Sequence, residues 1–148
     1  MNGRTVSSQL DPVHCISNNL HKTARAVSRV YAEEMRPAGL ARSQFAVLEH
    51  LARGGPVAVS ELARRLYMER TTLTRNLRPL EQAGLVARTA QPGDARVKLI
   101  AITDSGRGRL EEARQCWRRA QARLLERFGA DAWAELEATL RDLRRLTR

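Results

Sequence analysis

At 148 residues, 43% of them apolar and only 4% aromatic, the chain can bury one sizeable core built mainly from Leu, Ala and Val, a palette that suits helices. A formal charge of +10, carried by arginines apart from Lys22 and Lys98 and spread along the chain rather than gathered in a tail, points to a polyanionic partner, because each cation that neutralises a phosphate releases condensed counterions. Two cysteines are too few for a disulfide framework, no apolar run approaches a membrane span, and no secretory leader opens the chain, so a cytoplasmic protein that crosses no membrane is expected.

Apolar positions Ile16, Leu20, Ala24, Val27, Tyr31 and Met35 recur at helical spacing until Pro37 and Gly39, predicting a first helix over about 13–36. A second begins near Ser43, carries Phe45, Leu48 and Leu51 on one face, and stops at Gly54-Gly55-Pro56. Val57 to Val59 is long enough only for a bridge strand. Two helical segments follow, Ser60–Leu66 and Glu69–Ala83, with Gly84 placed for a left-handed cap. Leu85–Thr89 and Val97–Ile102 read as strands joined by a loop containing Pro92-Gly93-Asp94. Thr103 or Asp104 caps a long helix with its apolar stripe at Leu110, Ala113, Trp117, Ala120, Leu124 and Phe128. After Gly129, a last helix places Trp133, Leu136, Leu140 and Leu143 on one side. The fold class is therefore mainly α with a small β-hairpin, in one domain over 1–148. The terminal stripes either cover this chain's own core or join a helical bundle shared with a second copy, and the placement of apolar helices on both flanks of a compact centre favours the homodimer.

A short helix, a tight link, a longer helix and a hairpin with a basic tip follow the order of a winged helix-turn-helix, here over about 43–102. In such a unit the longer helix lies in the DNA major groove and its first turns meet base edges. Leu73, Leu77 and Leu80 share its inner side, while Arg70, Thr71, Thr74, Arg75 and Arg78 point elsewhere, with Thr72 at the boundary. These donors suit phosphates and bases. Exposed arginine is more often a solvated helix face, but three Arg and three Thr crowd one short helix beside a hairpin that adds Asp94, Arg96 and Lys98. Pro79 inside this helix removes the hydrogen bond to the Arg75 carbonyl and predicts a kink there. There is no Gly-rich phosphate loop, Ser-His-Asp pattern or helical His pair, so neither an enzyme nor a cofactor is expected. The rival readings are a sequence-neutral architectural DNA binder and a protein-interaction module of the same fold.

In the hairpin, Asp94-x-Arg96, six residues, then Thr103-x-x-Gly106 resembles the wing of the MarR family of bacterial winged helix-turn-helix transcription regulators. The likeness extends to Arg36-Pro-Ala-Gly-Leu40, Gln44-Phe45, Ser60-Glu-Leu-Ala63 and Leu80-Glu-Gln-Ala-Gly-Leu-Val86. It implies terminal helices (about 13–36 and 104–147) that dimerise, and repression from a pseudo-palindromic operator in double-stranded DNA. It also implies that Arg96 enters the minor groove while Asp94 orients it. An ordinary ion pair within the turn is the plainer alternative for those two residues.

The resemblance further implies release from DNA by a small aromatic or phenolic effector, or by cysteine oxidation. His21, Tyr31 and His50 are candidates to line an effector pocket, although each is as readily a packed or surface residue. Cys15, beside His14 at a helix start, is the candidate redox sensor, because a helix dipole and an imidazolium lower a thiol pKa. Counted back from Tyr31, the reactive Cys of the family's hydroperoxide-sensing branch falls nearer Ser17 than Cys15. A packed, inert thiol is the alternative there, and Cys116 reads as core. His14, Cys15 and His21 lack the further ligand of a metal site, so no metal is expected.

Overall fold

The computed structural model describes residues 6–147. A one-turn helix α1 (Val6–Gln9) and a 3-10 turn (Pro12–His14) lead into α2 (Ile16–Met35). Asp11 opens the 3-10 turn by accepting from the Val13 amide at 2.9 Å, which sets the start of α2 three residues later than periodicity suggested. α3 (Arg42–Gly54), β1 (Val57–Ala58), α4 (Val59–Arg65), α5 (Arg70–Gln82), β2 (Val86–Gln91), β3 (Asp94–Ile102), α6 (Asp104–Phe128) and α7 (Ala130–Leu146) follow. The three strands form one antiparallel sheet in the order β1-β3-β2, with Val57 opposite Ile100 and Val86 opposite Ile102.

Two features depart from the sequence reading. The strands reach Gln91 and Asp94, so the hairpin loop shrinks to Pro92-Gly93. Pro followed by Gly at φ +85° suits a type II turn, whose twist splays the strands it joins, and the register slips between Ala90 and Gln91 accordingly. α5 runs unbroken through Pro79, which lies on its exposed side. Leu73, Leu77 and Leu80 pin the opposite side into the core and hold the helix together despite the missing bond.

Leu48 and Leu51 of α3, Leu62 of α4, Leu73, Leu77 and Leu80 of α5, Ile100 of β3 and Leu110 of α6 form the centre of that core. α6 docks there through its first turn. Thr103 Oγ1 accepts from the Gly106 amide at 3.0 Å and donates to the Gly84 carbonyl at 2.6 Å. A Cβ on Gly106 would sit 2.0 Å from the Leu85 carbonyl oxygen. The Thr-x-x-Gly pattern is thus the joint that locks the long helix to the hairpin.

α4 and α5 end in the same way. After α5, the Leu85 amide bonds the Leu80 carbonyl at 2.9 Å and the Gly84 amide bonds Glu81 at 3.0 Å; after α4, Met68 bonds Ala63 at 2.9 Å and Tyr67 bonds Arg64 at 3.3 Å. Both are Schellman motifs, and their left-handed residue is Gly84 (φ +66°) in one and Tyr67 (φ +52°) in the other. A Cβ in that conformation costs about 1–2 kcal/mol.

The terminal helices behave differently from this centre. α2 buries only Met35, and no described residue of α7 is buried. The stripe of α6 divides: Leu110, Ala113 and Ala120 are buried, Trp117 and Leu124 are half-buried, and Phe128 is exposed.

Candidate nucleic-acid interface

α5 presents Arg70, Thr71, Thr74, Arg75 and Arg78 on its exposed side, with Thr72 half-buried at the edge. Thr74 Oγ1 donates to the Arg70 carbonyl at 2.8 Å, so its hydroxyl is oriented before any ligand arrives. Asn76, which periodicity alone did not single out, anchors the helix from behind. Its Oδ1 accepts from Ser43 Oγ of α3 at 2.6 Å and its Nδ2 donates to the Thr72 carbonyl at 2.9 Å. A polar residue next to an apolar stripe gives no signal of that partner in sequence, because Ser43 lies 33 positions away.

In the hairpin, Arg96 and Lys98 are exposed. Asp94 Oδ1 accepts from the Arg96 backbone amide at 3.0 Å. The carboxylate therefore fixes the chain beneath Arg96, and among the described residues no ion pair joins Asp94 to the Arg96 guanidinium. Arg88 Nε approaches Glu81 Oε1 at 2.7 Å, tying the hairpin base to the end of α5.

Charge is arranged unevenly. Arg64 and Arg65 of α4 both pair with Glu61, and Arg114, Arg119 and Arg123 of α6 pair with Glu49, Glu34 and Glu33. The two guanidiniums hold the Glu61 carboxyl down to about 2. Among the described residues no carboxylate pairs with Arg70, Arg75, Arg78, Arg96 or Lys98. A surface of uncompensated cations on one helix and one hairpin has the electrostatic character that suits a polyanion.

A second feature lies between this unit and the long helices. An open cleft of about 1140 Å³ is lined from α2, α3, α6 and α7 and includes Tyr31 and His50. Phe45 and Trp117 stack on its floor with ring centroids 6.1 Å apart, and Trp133 lies on its α7 side. Five arginines (42, 53, 114, 118 and 144) face one carboxylate, Glu49. The Tyr31 hydroxyl donates to Gln121 Oε1, and burial pushes its pKa up against the opposing charge of Arg42. His50 Nε2 is buried with no hydrogen-bond partner among the described residues. His21 is elsewhere: it is exposed, with Nδ1 2.8 Å from the Ser17 carbonyl oxygen. Cys15 is exposed too, its Sγ accepting from the Asn18 amide at 3.5 Å to cap α2, whereas Cys116 is buried. No group of His, Cys, Asp and Glu suited to a metal occurs among the described residues. No helix among them is long and apolar enough to cross a membrane.

The MarR family profile matches residues 38–97, from just after α2 into β3 of the hairpin. The HTH-type transcriptional regulator YxaD of Bacillus subtilis is 33% identical over 71% of this chain and 73% of its own length. YdgJ of the same organism is 29% identical over 63% of this chain, a match spanning 57% of that regulator. Among solved structures, the M. tuberculosis transcriptional regulator MosR in complex with DNA superposes with a TM-score of 0.79 at 34% identity, covering 90% of this chain and 96% of that one.

Proposed function

The chain belongs to the MarR family, and from that premise we propose that it is a homodimeric, sequence-specific DNA-binding regulator that represses transcription until a small molecule releases it. The observation that carries the DNA reading is the row of exposed polar side chains on α5, Arg70, Thr71, Thr74, Arg75 and Arg78, whose arginines pair with no carboxylate among the described residues, set beside Arg96 and Lys98 of the hairpin. α5 enters the major groove by its first turns, and Arg96 reaches the flanking minor groove, where A/T-rich sequence concentrates negative potential. Residues 43–102 form the reading unit. Helices α2, α6 and α7 join two copies so that the units meet half-sites about one turn apart.

The dimer reading rests on the apolar residues this chain leaves uncovered. Val13, Ile16, Leu20, Val27, Phe128 and Leu136 are all exposed, and all lie in the N- and C-terminal helical parts. A second copy would bury them at once. The cleft is the proposed effector site. Stacked rings and an excess of guanidiniums suit a small aromatic or phenolic acid, with Tyr31 and His50 as polar contacts. Both tryptophans of the chain line it, so quenching of intrinsic fluorescence reads occupancy directly.

The decisive experiment is binding to fragments of the source genome against random duplex. A regulator selects its site by roughly 10³-fold or more, and Arg75→Ala lowers operator affinity by about 1–3 kcal/mol while relaxing base preference. Arg96→Ala weakens binding mainly at A/T-rich flanks. Equal losses on operator and random DNA for both variants would establish the architectural rival instead.

A further inference from the structure

The cleft between the reading unit and the long helices carries more positive charge than its own carboxylate answers. Arg53 pairs with Glu49 at 2.7 Å, and Arg114 pairs with Glu49 at 3.0 Å and with Glu111 at 2.9 Å. Glu49 is the one carboxylate in the lining, and those two arginines already engage it. Among the described residues no carboxylate pairs with the other three arginines of the lining, Arg42 of α3, Arg118 of α6 and Arg144 of α7. Their neighbours on the same helices differ. Arg119 of α6 reaches Glu34 at 3.5 Å, and Arg141 and Arg145 of α7 reach Glu137 at 3.7 Å and Asp142 at 3.5 Å. Three helices thus bring uncompensated guanidiniums to one cavity, and like charges lining a cleft with low-dielectric walls focus the field and gather anions there.

The walls add a second requirement. Phe45 and Trp117 stack with their planes 14° apart, and Trp133 lies on the α7 side, so a flat ring finds partners for its face. A single carboxylate makes its best bidentate pair with one guanidinium, which leaves two of the three unanswered. At about 1140 Å³ the cleft also exceeds the roughly 300–1,000 Å³ usual for small-ligand sites, so a second acid group has room. We propose that the cleft selects an aromatic dicarboxylate over an aromatic monoacid, its ring against the Phe45–Trp117 stack and its two carboxylates shared among Arg42, Arg118 and Arg144. This rests on the effector reading given above and narrows its ligand from an acid to a dianion. Because Arg42 stands on α3 and the other two on α6 and α7, such a ligand ties the reading unit to its arms from both sides of the cleft.

The test titrates full-length protein, free of DNA and at fixed ionic strength, with benzoate, phthalate, isophthalate and terephthalate, and with benzamide as the neutral control. Quenching of Trp117 and Trp133, the two tryptophans of the chain, reads occupancy. At least one dicarboxylate is expected to bind about tenfold or more tightly than benzoate, the gain from one further charge-assisted pair, and to lose affinity more steeply as salt is raised. The double variant Arg118→Gln with Arg144→Gln leaves Arg42 as the one unpaired guanidinium of the lining and is expected to erase the preference while keeping benzoate binding. Both side chains are exposed, so its Tm without ligand should match the wild type, and the wild-type comparison stands however the variant folds. Equal affinity of the wild type for benzoate and all three dicarboxylates, or a preference that survives in the folded double variant, overturns the dianion and leaves the effector site standing. Quenching by none of the acids, or benzamide binding as tightly as the best of them, overturns both.

Discussion

The reading unit and the terminal helices treat their apolar residues in opposite ways. From α3 to β3 every large aliphatic side chain is at least partly covered by the same chain, and Leu48, Leu51, Leu62, Leu73 and Ile100 are completely so. In α2, Ile16, Leu20 and Val27 are exposed, and in α7 Leu136 and Leu146, although the spacing of these helices is just as regular. Periodicity shows that a helix has an apolar face but is silent on which chain covers it. The first half of α6 belongs to the centre, and α2, α7 and the end of α6 carry the apolar residues that the proposed dimer would cover.

The sharpest way to break this contrast is a charge on the arm that leaves the centre alone. Leu136 is 36% exposed in the single chain, so the carboxylate of Leu136→Glu can still reach solvent in one copy, whereas in a dimer seam it is buried unpaired at a cost of several kcal/mol. Sedimentation at micromolar concentration should show a dimer for the wild type and a folded monomer for the variant, and truncation after Gly129 should give the same separation. A variant that stays dimeric, or a wild type that is already monomeric, refutes the shared bundle.

The next effect concerns the joint between the regions. Gly106→Ala would drive a Cβ to 2.0 Å from the Leu85 carbonyl oxygen and 2.8 Å from Ile102 Cγ1, contacts that only a backbone shift relieves. A loss of about 3 kcal/mol, or roughly 10 °C in Tm, is expected by thermal denaturation. Gly108→Ala in the same turn, where an added Cβ meets nothing within 4 Å, should leave Tm close to the wild type. Equal behaviour of the two variants would remove the joint from the account.

These same places show how much could be read from sequence. The element order, the Leu73-Leu77-Leu80 inner face and the Thr103-x-x-Gly106 spacing were legible because each is a short-range pattern with one physical meaning. The structure shortens the expected hairpin loop, since Ala90 and Gln91 carry no strong turn or strand preference and their pairing with β3 decides their state. The Ser43–Asn76 bond, the arginines of the cleft and the strain at Tyr67 depend on residues brought together from distant positions, or on a dihedral that composition does not encode. Tyr31 and His50 did lie on one cleft, while His21, on the same helix as Tyr31, turned away because its ring bonds its own helix one turn back.

The smallest effect tests the electrostatic bond between the two regions. Glu49 of α3 meets Arg53 of its own helix at 2.7 Å and Arg114 of α6 at 3.0 Å. Burial alone would raise its pKa, but the hydrogen bonds from Arg114 and Arg53 outweigh it and hold the carboxyl below the usual carboxylate range. A carboxyl depressed in the folded state stabilises the protein fully above its unfolded pKa, and that contribution is lost as pH falls through the folded value. The window therefore lies below about pH 4.5. Glu49→Gln should lose on the order of 1 kcal/mol at neutral pH, since Arg53 is largely exposed and its share is screened. The stability gap between wild type and variant should stay constant from pH 7 to about pH 5 and close below that. Because the substitution also frees Arg53 in the cleft, while Arg114 keeps its pair with Glu111 at 2.9 Å, an aromatic carboxylate such as benzoate should quench the tryptophans at lower concentration in Glu49→Gln than in the wild type. A gap that persists at low pH would mean that the Glu49 side chain acts by packing and that no charge couples the reading unit to its arms at this point.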